Sequence, residues 1–197
     1  MKAPPLNTDA AARLSRSVHL RDIVCMGVDA KHTQQAPTDL TPEAVLSWDL
    51  AKVNAFWELE GDGNRLKVVF PLHITIEAIV GEGESKTKTR LAQIGTIIRL
   101  EYDVQRSETE PLSEDDIPDF VGVSGFLHSW PYFRADVHWL TSKIGFPPLV
   151  LPVMVSGNAA GTVSVSRLSE IRPSATPRPP ATEVPEKGID RRPRKGK

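Results

Sequence analysis

The chain has 197 residues and a formal net charge of −1, so it is long enough for one domain with its own core and has no general attraction to nucleic acid or to a membrane surface. Its single cysteine, Cys25, excludes an internal disulfide and a cysteine-based zinc cluster, which is typical of the reducing cytoplasm. No run reaches the roughly 18–20 apolar residues of a membrane span, and the N-terminus lacks the apolar region of a secretory signal. We therefore expect a cytoplasmic protein that does not insert into membranes.

The first half of the chain is predicted to alternate between strands and polar connections. Residues 1–13 are expected to form a flexible N-terminal arm, and a first strand follows over about residues 14–31. Its alternation predicts one apolar face with Leu20, Val24, Met26, Val28 and Ala30, and it places Cys25 on the other face as a small packed side chain. A polar crossover loop with two prolines is expected over residues 32–42. The second strand, about residues 51–60, alternates apolar and polar side chains and ends at residues 61–64, whose sequence GDGN is typical of a hairpin turn.

Two longer strands come next. The third, about residues 66–80, has one unbroken apolar face and carries Pro71 in its middle, which predicts an edge position or a bulge. The fourth spans about residues 86–103, after a turn at residues 81–85 that lacks the lysine and the helix of a phosphate loop. Because turns of hairpin length join these strands, the sheet is predicted to be antiparallel.

Two helices are predicted after the strands. The first begins at Ser113 or, because of Pro118, only after that proline. The second covers residues 132–143, with Pro131 in its first turn and Gly145 as its stop. Residues 146–152 are apolar but too rich in proline for a helix or a central strand, so they need a surface to lie on.

The tail of the chain has a different composition. Residues 156–197 are expected to be disordered because prolines and polar residues replace apolar ones, and residues 173–197 carry a net charge of about +4. The order of the preceding elements predicts an α+β fold, with a four-stranded antiparallel sheet and two helices packed on one face.

No catalytic constellation is visible in the sequence. The five histidines, His19, His32, His73, His128 and His138, show neither HExxH spacing nor a cysteine cluster beside them. We therefore expect no enzyme, no metal and no cofactor. The basic end of the tail, RRPRKGK, could contact phosphates without sequence preference, but a short solvated tail is the favoured interpretation, so we do not expect a nucleic-acid partner.

Binding is better supported, through aromatic side chains near the predicted connections. Trp48 and Trp57 flank the start of the second strand, and Trp130 and Phe146 flank the second helix. Each of them alone is best interpreted as part of the core. Together they could line a groove between the sheet edge, the crossover loop and the helix, which would accept an extended apolar segment of another chain.

The motif Trp130-Pro131-Tyr132-Phe133-Arg134, followed about a dozen residues later by GFPPLVLP at residues 145–152, resembles the signature of the SecB export chaperone family. The order of strands and helices is also that of the SecB fold, which extends the resemblance over roughly residues 14–155. The resemblance implies a homotetramer that needs no cofactor and that binds unfolded polypeptides in long hydrophobic grooves. With Trp48 added from the aromatic pattern, the implied client-binding residues are Trp48, Val53, Ala55, Trp57, Leu59, Trp130, Phe133, Val137, Phe146 and Leu149.

The sequence departs from that family where acidic residues dock the SecA motor. Asp22 matches one of these acids, but the next falls at Met26, and residues 89–91 of the fourth strand also lack theirs. The sequence is more similar to the divergent SecB-like branch, some of whose members hold an aggregation-prone antitoxin. Two hypotheses follow: a holdase for exported proteins or for an antitoxin, and a non-enzymatic adaptor that binds one folded partner.

Overall fold

The computed structural model describes residues 6–32, 45–80, 87–105, 112–154 and 163–170. The predicted crossover loop from residue 33 on, the turn at residues 81–85 and most of the tail predicted from residue 156 on lie outside these ranges. Within that tail, residues 163–170 form a strand and a 3-10 turn, so the prediction of disorder is wrong for them. The described elements are α1 (Thr8–Leu14), β1 (Val18–His32), β2 (Val45–Leu50), β3 (Val53–Glu60), β4 (Arg65–Val80), β5 (Thr87–Val104), α2 (Ile117–Phe120), α3 (Phe126–Lys143) and β6 (Val163–Arg167), with short 3-10 turns at Glu114–Asp116 and Leu168–Glu170.

The described sheet has six strands, so the predicted four-stranded antiparallel sheet is wrong in its detail, although the α+β class holds. The order is β1-β5-β4-β3-β6, and β2 also pairs with β4. All pairs are antiparallel except β3 with β6, which is parallel. The strands missed, β2 and β6, have only six and five residues and lie next to polar or small-residue segments, so their periodicity is too short to predict.

Strand β4 lies in the interior of the sheet, although Pro71 predicted an edge or a bulge there. On one side β4 pairs with β5 over Arg65–Val80. On the other side it pairs with β3 up to Val69 and with β2 from Ile74. Pro71 lies at the break between these two ladders, so its missing N–H interrupts no pairing on that side.

Helix α1 begins at Thr8, within the loose arm that was predicted for residues 1–13, so that prediction is wrong for the part from Thr8 on. The Asn7 side chain accepts hydrogen bonds from the first-turn N–H groups of Asp9 and Ala10, at 3.0 and 3.2 Å. The helix is seven residues long and packs against α2, with Leu14 among its buried side chains. An isolated helix of this length is not stable in water, so this tertiary contact decides its structure.

One continuous helical segment follows the sheet. It runs from a 3-10 turn through α2 and a π-helical turn at Val121–Gly125 into α3. Pro131 was predicted in the first turn of the helix, but it lies inside α3, which begins at Phe126. A Cβ atom on Gly125 would lie 3.1 Å from Cζ of Phe70, so glycine allows the π-turn to approach the sheet closely.

The core lies between this helical segment and one face of β4 and β5. Alternate side chains of both strands are buried, from Leu66 to Ala78 on β4 and from Ala92 to Tyr102 on β5. Helix α3 covers them with Phe126, Trp130, Phe133 and Val137. This two-layer packing is why α3 holds the following loop at a fixed place against the molecule.

Candidate functional site

The loop at residues 144–154, here called the proline loop, is fixed to α3 by side chains. The indole Nε1 of Trp130 donates to the Pro152 carbonyl at 2.9 Å, and Nε of Arg134 donates to the Leu151 carbonyl at 2.7 Å. The loop belongs to no described strand, so its carbonyls need such partners. The two donors of the signature motif therefore have a structural role that explains their spacing of four residues on one helix face.

Thr141 makes the third connection between α3 and the proline loop. Its buried hydroxyl donates to the Val137 carbonyl at 2.8 Å and accepts from the Leu149 N–H at 3.0 Å. The chain can turn back because Gly145 has a φ of +83°, which glycine adopts without strain, and Phe146 N–H then bonds to the Thr141 carbonyl at 2.9 Å. The prediction that Gly145 ends the helix agrees with this geometry.

The predicted client-binding residues of α3 and the proline loop lie in the core of this chain. Trp130, Phe133, Val137 and Phe146 are buried, and Leu149 is half-buried against them. The Trp130 ring lies 5.6 Å from the ring centroid of Phe133. These side chains shape the helix–loop junction, and their contact with a client stays a prediction.

The predicted residues of the sheet lie together on β2 and β3. Val53, Ala55 and Trp57 are buried, whereas Leu59 of β3 and Trp48 of β2 are half-buried at the edge of the same core. Strand β6 covers the edge of β3 in this region, since Val53 pairs with Val163 and Trp57 pairs with Arg167. Strand β6 was not predicted, because its pattern VSVSR alternates as a strand does but over only five residues.

A shallow cleft opens beside Trp57. The Arg167 guanidinium lies 4.9 Å from the centroid of the Trp57 ring, and Nη1 of Arg167 is 2.9 Å from Oε2 of Glu114. The cleft has a volume of about 290 Å³ and brings the edge of the sheet to the start of the helical segment. Its lining residues are Trp57, Glu114, Asp115, Pro118, Val165, Ser166 and Arg167.

A second surface is apolar and exposed. On β1, Met26 and Val28 are 54% and 45% exposed, and on α3, Tyr132 and Trp139 are 49% and 57% exposed. The two elements meet at Asp136, whose Oδ2 accepts a weak hydrogen bond from the Cys25 thiol at 3.8 Å. Exposed apolar side chains on two adjoining elements are typical of a contact surface.

Strand β1 does not keep the alternation that the sequence predicted. It has irregularities between Leu20 and Asp22 and between Cys25 and Gly27. As a result Leu20, Ile23 and Cys25 stand opposite Tyr102, Leu100 and Ile98, so the predicted face with Leu20, Val24, Met26, Val28 and Ala30 together is wrong. The prediction that Cys25 is a packed side chain is also wrong, because this side chain is exposed.

Asp22 lies at the first of these irregularities and is exposed. Its Oδ1 accepts from the Ile23 N–H at 2.8 Å, and its partner in the register is Glu101 of β5. Docking of a translocase to Asp22 stays a prediction.

Two ionisable groups near the helical segment have shifted pKa values. The His128 Nδ1 shares a hydrogen bond of 3.0 Å with the Tyr102 hydroxyl, and burial lowers the pKa of His128. Burial raises the pKa of the Asp136 carboxyl, while the Thr96 hydroxyl and the Cys25 thiol act in the opposite direction.

Within the described residues no three of His, Cys, Asp and Glu gather as a metal site would require. Among the helices described, none is both long and apolar enough to cross a bilayer.

The fold described above, an α+β sheet covered on one face by a long helix, is similar to that of a SecB-like chaperone of known structure. Two curated relatives, SecB-like chaperone Rv1957 and SecB-like chaperone MT2006 from two strains of Mycobacterium tuberculosis, are each 26% identical over 155 residues, which are 73% of this chain and 81% of the relative. The solved structure of Mycobacterium tuberculosis Rv1957 SecB-like chaperone, in complex with a ChAD peptide from the Rv1956 HigA1 antitoxin, has a TM-score of 0.58 and 20% identity and covers 75% of this chain and 97% of its own. No model of a known protein family matches the chain.

Proposed function

We propose that this protein is an ATP-independent holdase that binds unfolded or aggregation-prone polypeptides without catalysing a reaction. The observation that carries the proposal is the similarity to SecB-like chaperones in sequence over 155 residues, together with the shared fold. Such a chaperone acts by mass action, because binding the unfolded state lowers the free concentration that can aggregate.

The favoured client is an antitoxin, and an exported preprotein is the second choice. The solved relative binds a ChAD peptide from an antitoxin. In this chain the acidic positions for docking to the export motor are incomplete: Met26 stands where one acid is expected, and the stretch from Thr89 to Leu91 contains no acid where another is expected. Both arguments favour an antitoxin over a preprotein.

The test is light scattering of a guanidinium-denatured client that is diluted into buffer with and without the protein. We expect scattering to fall as the ratio of chaperone to client approaches one to one, and an equal mass of lysozyme serves as the control. Unchanged scattering at a stoichiometric ratio would sink the holdase proposal. Specific binding to one native protein under those conditions would favour the adaptor hypothesis instead.

We also propose that the chain assembles into a homo-oligomer, with a tetramer as the expected size. The exposed apolar side chains Met26, Val28, Tyr132 and Trp139 on β1 and α3 support it, because a second copy would remove this apolar surface from water.

A further inference from the structure

We propose that β6 is a built-in competitor, which occupies the edge of β3 in the free protein and is displaced when an extended client segment pairs with that edge. This inference rests on the proposed holdase function and names the part of the surface that a client uses. The β3 edge holds β6 in the free chain and the client in the complex.

The pairing of β6 is what an added peptide strand would make. Strand β6 is parallel to β3 and runs in register from Val53 opposite Val163 to Trp57 opposite Arg167. It is the last strand of the described sheet and pairs there with β3. A peptide that adds to a sheet edge gains main-chain hydrogen bonds of this kind, which do not depend on its sequence.

The side chains of β6 also resemble those of an extended apolar ligand. Val163 is buried and Val165 is half-buried, and the alternating Ser164 and Ser166 point to the other side of the strand. A client segment with apolar residues at alternate positions could place two side chains where these two valines lie. The site would therefore select segments in which apolar residues alternate with other residues, and it would depend little on the rest of their sequence.

Strand β6 is held weakly compared with the rest of the sheet. Beyond its backbone pairing, its attachment depends on Val163, on the half-buried Val165 and on Arg167, which lies over Trp57 and faces Glu114. Both partners of the Arg167–Glu114 ion pair are exposed, at 39% and 52%, so solvent screens it. By contrast, β4 pairs with β5 along its whole length. Loss of β6 would leave that larger part of the sheet intact.

The consequence is a direct competition. While β6 is paired, the backbone groups at the β3 edge have partners, and a client must replace them. The apparent affinity for a client is the intrinsic affinity reduced by the fraction of chains whose β3 edge is free. Fixing β6 should therefore weaken client binding, and loosening β6 should strengthen it.

Hydrogen exchange of the whole wild-type protein tests the displacement. The probe is reduced, carboxymethylated α-lactalbumin, which stays unfolded. We expect amides of β6 to lose protection when the probe is bound, whereas amides of β3 keep theirs because the client takes over the pairing. Unchanged or increased protection of β6 in the complex would overturn the inference, since the client would then lie elsewhere or add outside β6.

A reversible cross-link tests the same competition by affinity. Asn54 and Ser164 are register partners, so Asn54→Cys with Ser164→Cys, in a Cys25→Ser background, can join β3 to β6. We expect the oxidised form to bind the labelled probe at least about tenfold more weakly than the same protein after reduction, because the fraction with a free edge falls. Equal affinities of the two forms, with binding intact, would overturn the inference and leave the holdase proposal standing. No binding by the wild-type protein would overturn both.

A variant that weakens the attachment of β6 should have the opposite effect on the affinity for the probe. Arg167→Ala removes the contacts with Trp57 and Glu114 and should tighten probe binding by roughly threefold, the scale of an exposed cation–π and ion pair. Arg21→Ala is the matched control, because Arg21 makes an exposed ion pair of 3.1 Å with Asp103 far from β6 in the strand order. Equal or weaker binding by the Arg167 variant would count against the competition.

Discussion

At the scale of single residues, His128 and Tyr102 join the helical segment to the sheet. Tyr102 is fully buried, and that burial raises its pKa far above the ordinary value of 10.0, so its hydroxyl keeps its proton. The hydroxyl and Nδ1 of His128 are 3.0 Å apart. Burial also disfavours a charge on His128 and lowers its pKa below the ordinary 6.5.

The His128 shift predicts a loss of stability in mild acid. Because its pKa is lower in the folded than in the unfolded chain, the unfolded chain binds more protons as the pH falls below 6.5. The free energy of unfolding should therefore fall as the pH drops through 6.5 towards the folded-state pKa. In urea titrations between pH 7.5 and 5, His128→Gln should flatten this slope. His138→Gln, at an exposed histidine of the same helix, is the control, and an unchanged slope in the His128 variant would contradict the assignment.

The Asp136 carboxyl changes the pH dependence of stability in the opposite direction from His128. Burial raises the pKa of this carboxyl above 3.8, so the folded chain binds its proton more tightly than the unfolded chain does. Its contribution to stability is present below pH 3.8 and is lost as the pH rises through the folded-state pKa. Asp136→Asn should remove this contribution to the pH slope and make the protein more stable at pH 7. Urea unfolding at several pH values measures it, with Asp22→Asn as the exposed control, and no gain at pH 7 would refute it.

At the scale of elements, the proline loop shows how a segment without a ladder is held. Its carbonyls at Leu151 and Pro152 accept from side chains of α3, and its N–H at Leu149 donates to Thr141. These three bonds take the place of strand pairing. The helix therefore needs side-chain donors and an acceptor at fixed positions, and this need explains the spacing of the motif.

Thr141→Val tests this arrangement, since it keeps the shape of the side chain and removes its hydroxyl. The half-buried Leu149 N–H would lose its acceptor, at a cost of about 1–3 kcal/mol in the free energy of unfolding. Ser142→Ala is the matched control, because the Ser142 hydroxyl bonds to the His138 carbonyl at 3.0 Å on the exposed side of the helix. Urea unfolding gives the stability, and hydrogen exchange of residues 146–152 should show faster exchange in the Thr141 variant alone. Equal losses in both variants would argue against a special role for Thr141.

At the scale of the whole molecule, β1 and α3 leave large apolar side chains exposed to solvent. Val28 and Trp139 lie on the two elements that meet at Asp136. A surface of this kind favours association with another copy, because association removes apolar area from water. The single chain as described thus predicts an assembly larger than itself.

Substitutions on this surface test the assembly. Light scattering after size exclusion should give a mass near four chains for the wild-type protein. Val28→Asp with Trp139→Asp should shift it to smaller species, because a charge buried in an apolar contact weakens association by roughly tenfold or more per site. Val153→Asp, at an exposed residue of the proline loop, is the control. A monomeric wild-type protein, or a double variant of unchanged mass, would be the contrary result.

Much of the secondary structure could be predicted from local patterns in the sequence. Long alternation predicted β4 and β5 to within about a residue at most ends, and Gly145 with its positive φ ended α3 as expected. The spacing of Trp130, Arg134 and the prolines pointed to the SecB-like class, which the relatives support. These features depend on residues that are neighbours in sequence, so the sequence alone carries them.

What the tertiary structure decided was which side chains meet across long separations. Trp130 and Trp139 lie on the same helix, yet Trp130 is buried and Trp139 is exposed, because only one side of α3 faces the sheet. Local patterns located four of the ten predicted binding residues on β3 and two on α3, but they predicted neither the burial of these side chains nor the position of Trp48 in β2. Strand β6 joins β3 over a separation of about a hundred residues, and α1 forms only where α2 covers it. The sequence thus determined the long strands, the main helix and the class. Long-range packing determined the short elements α1, β2 and β6, the bulges of β1 and the surfaces left for a partner, because those depend on contacts that no local pattern records.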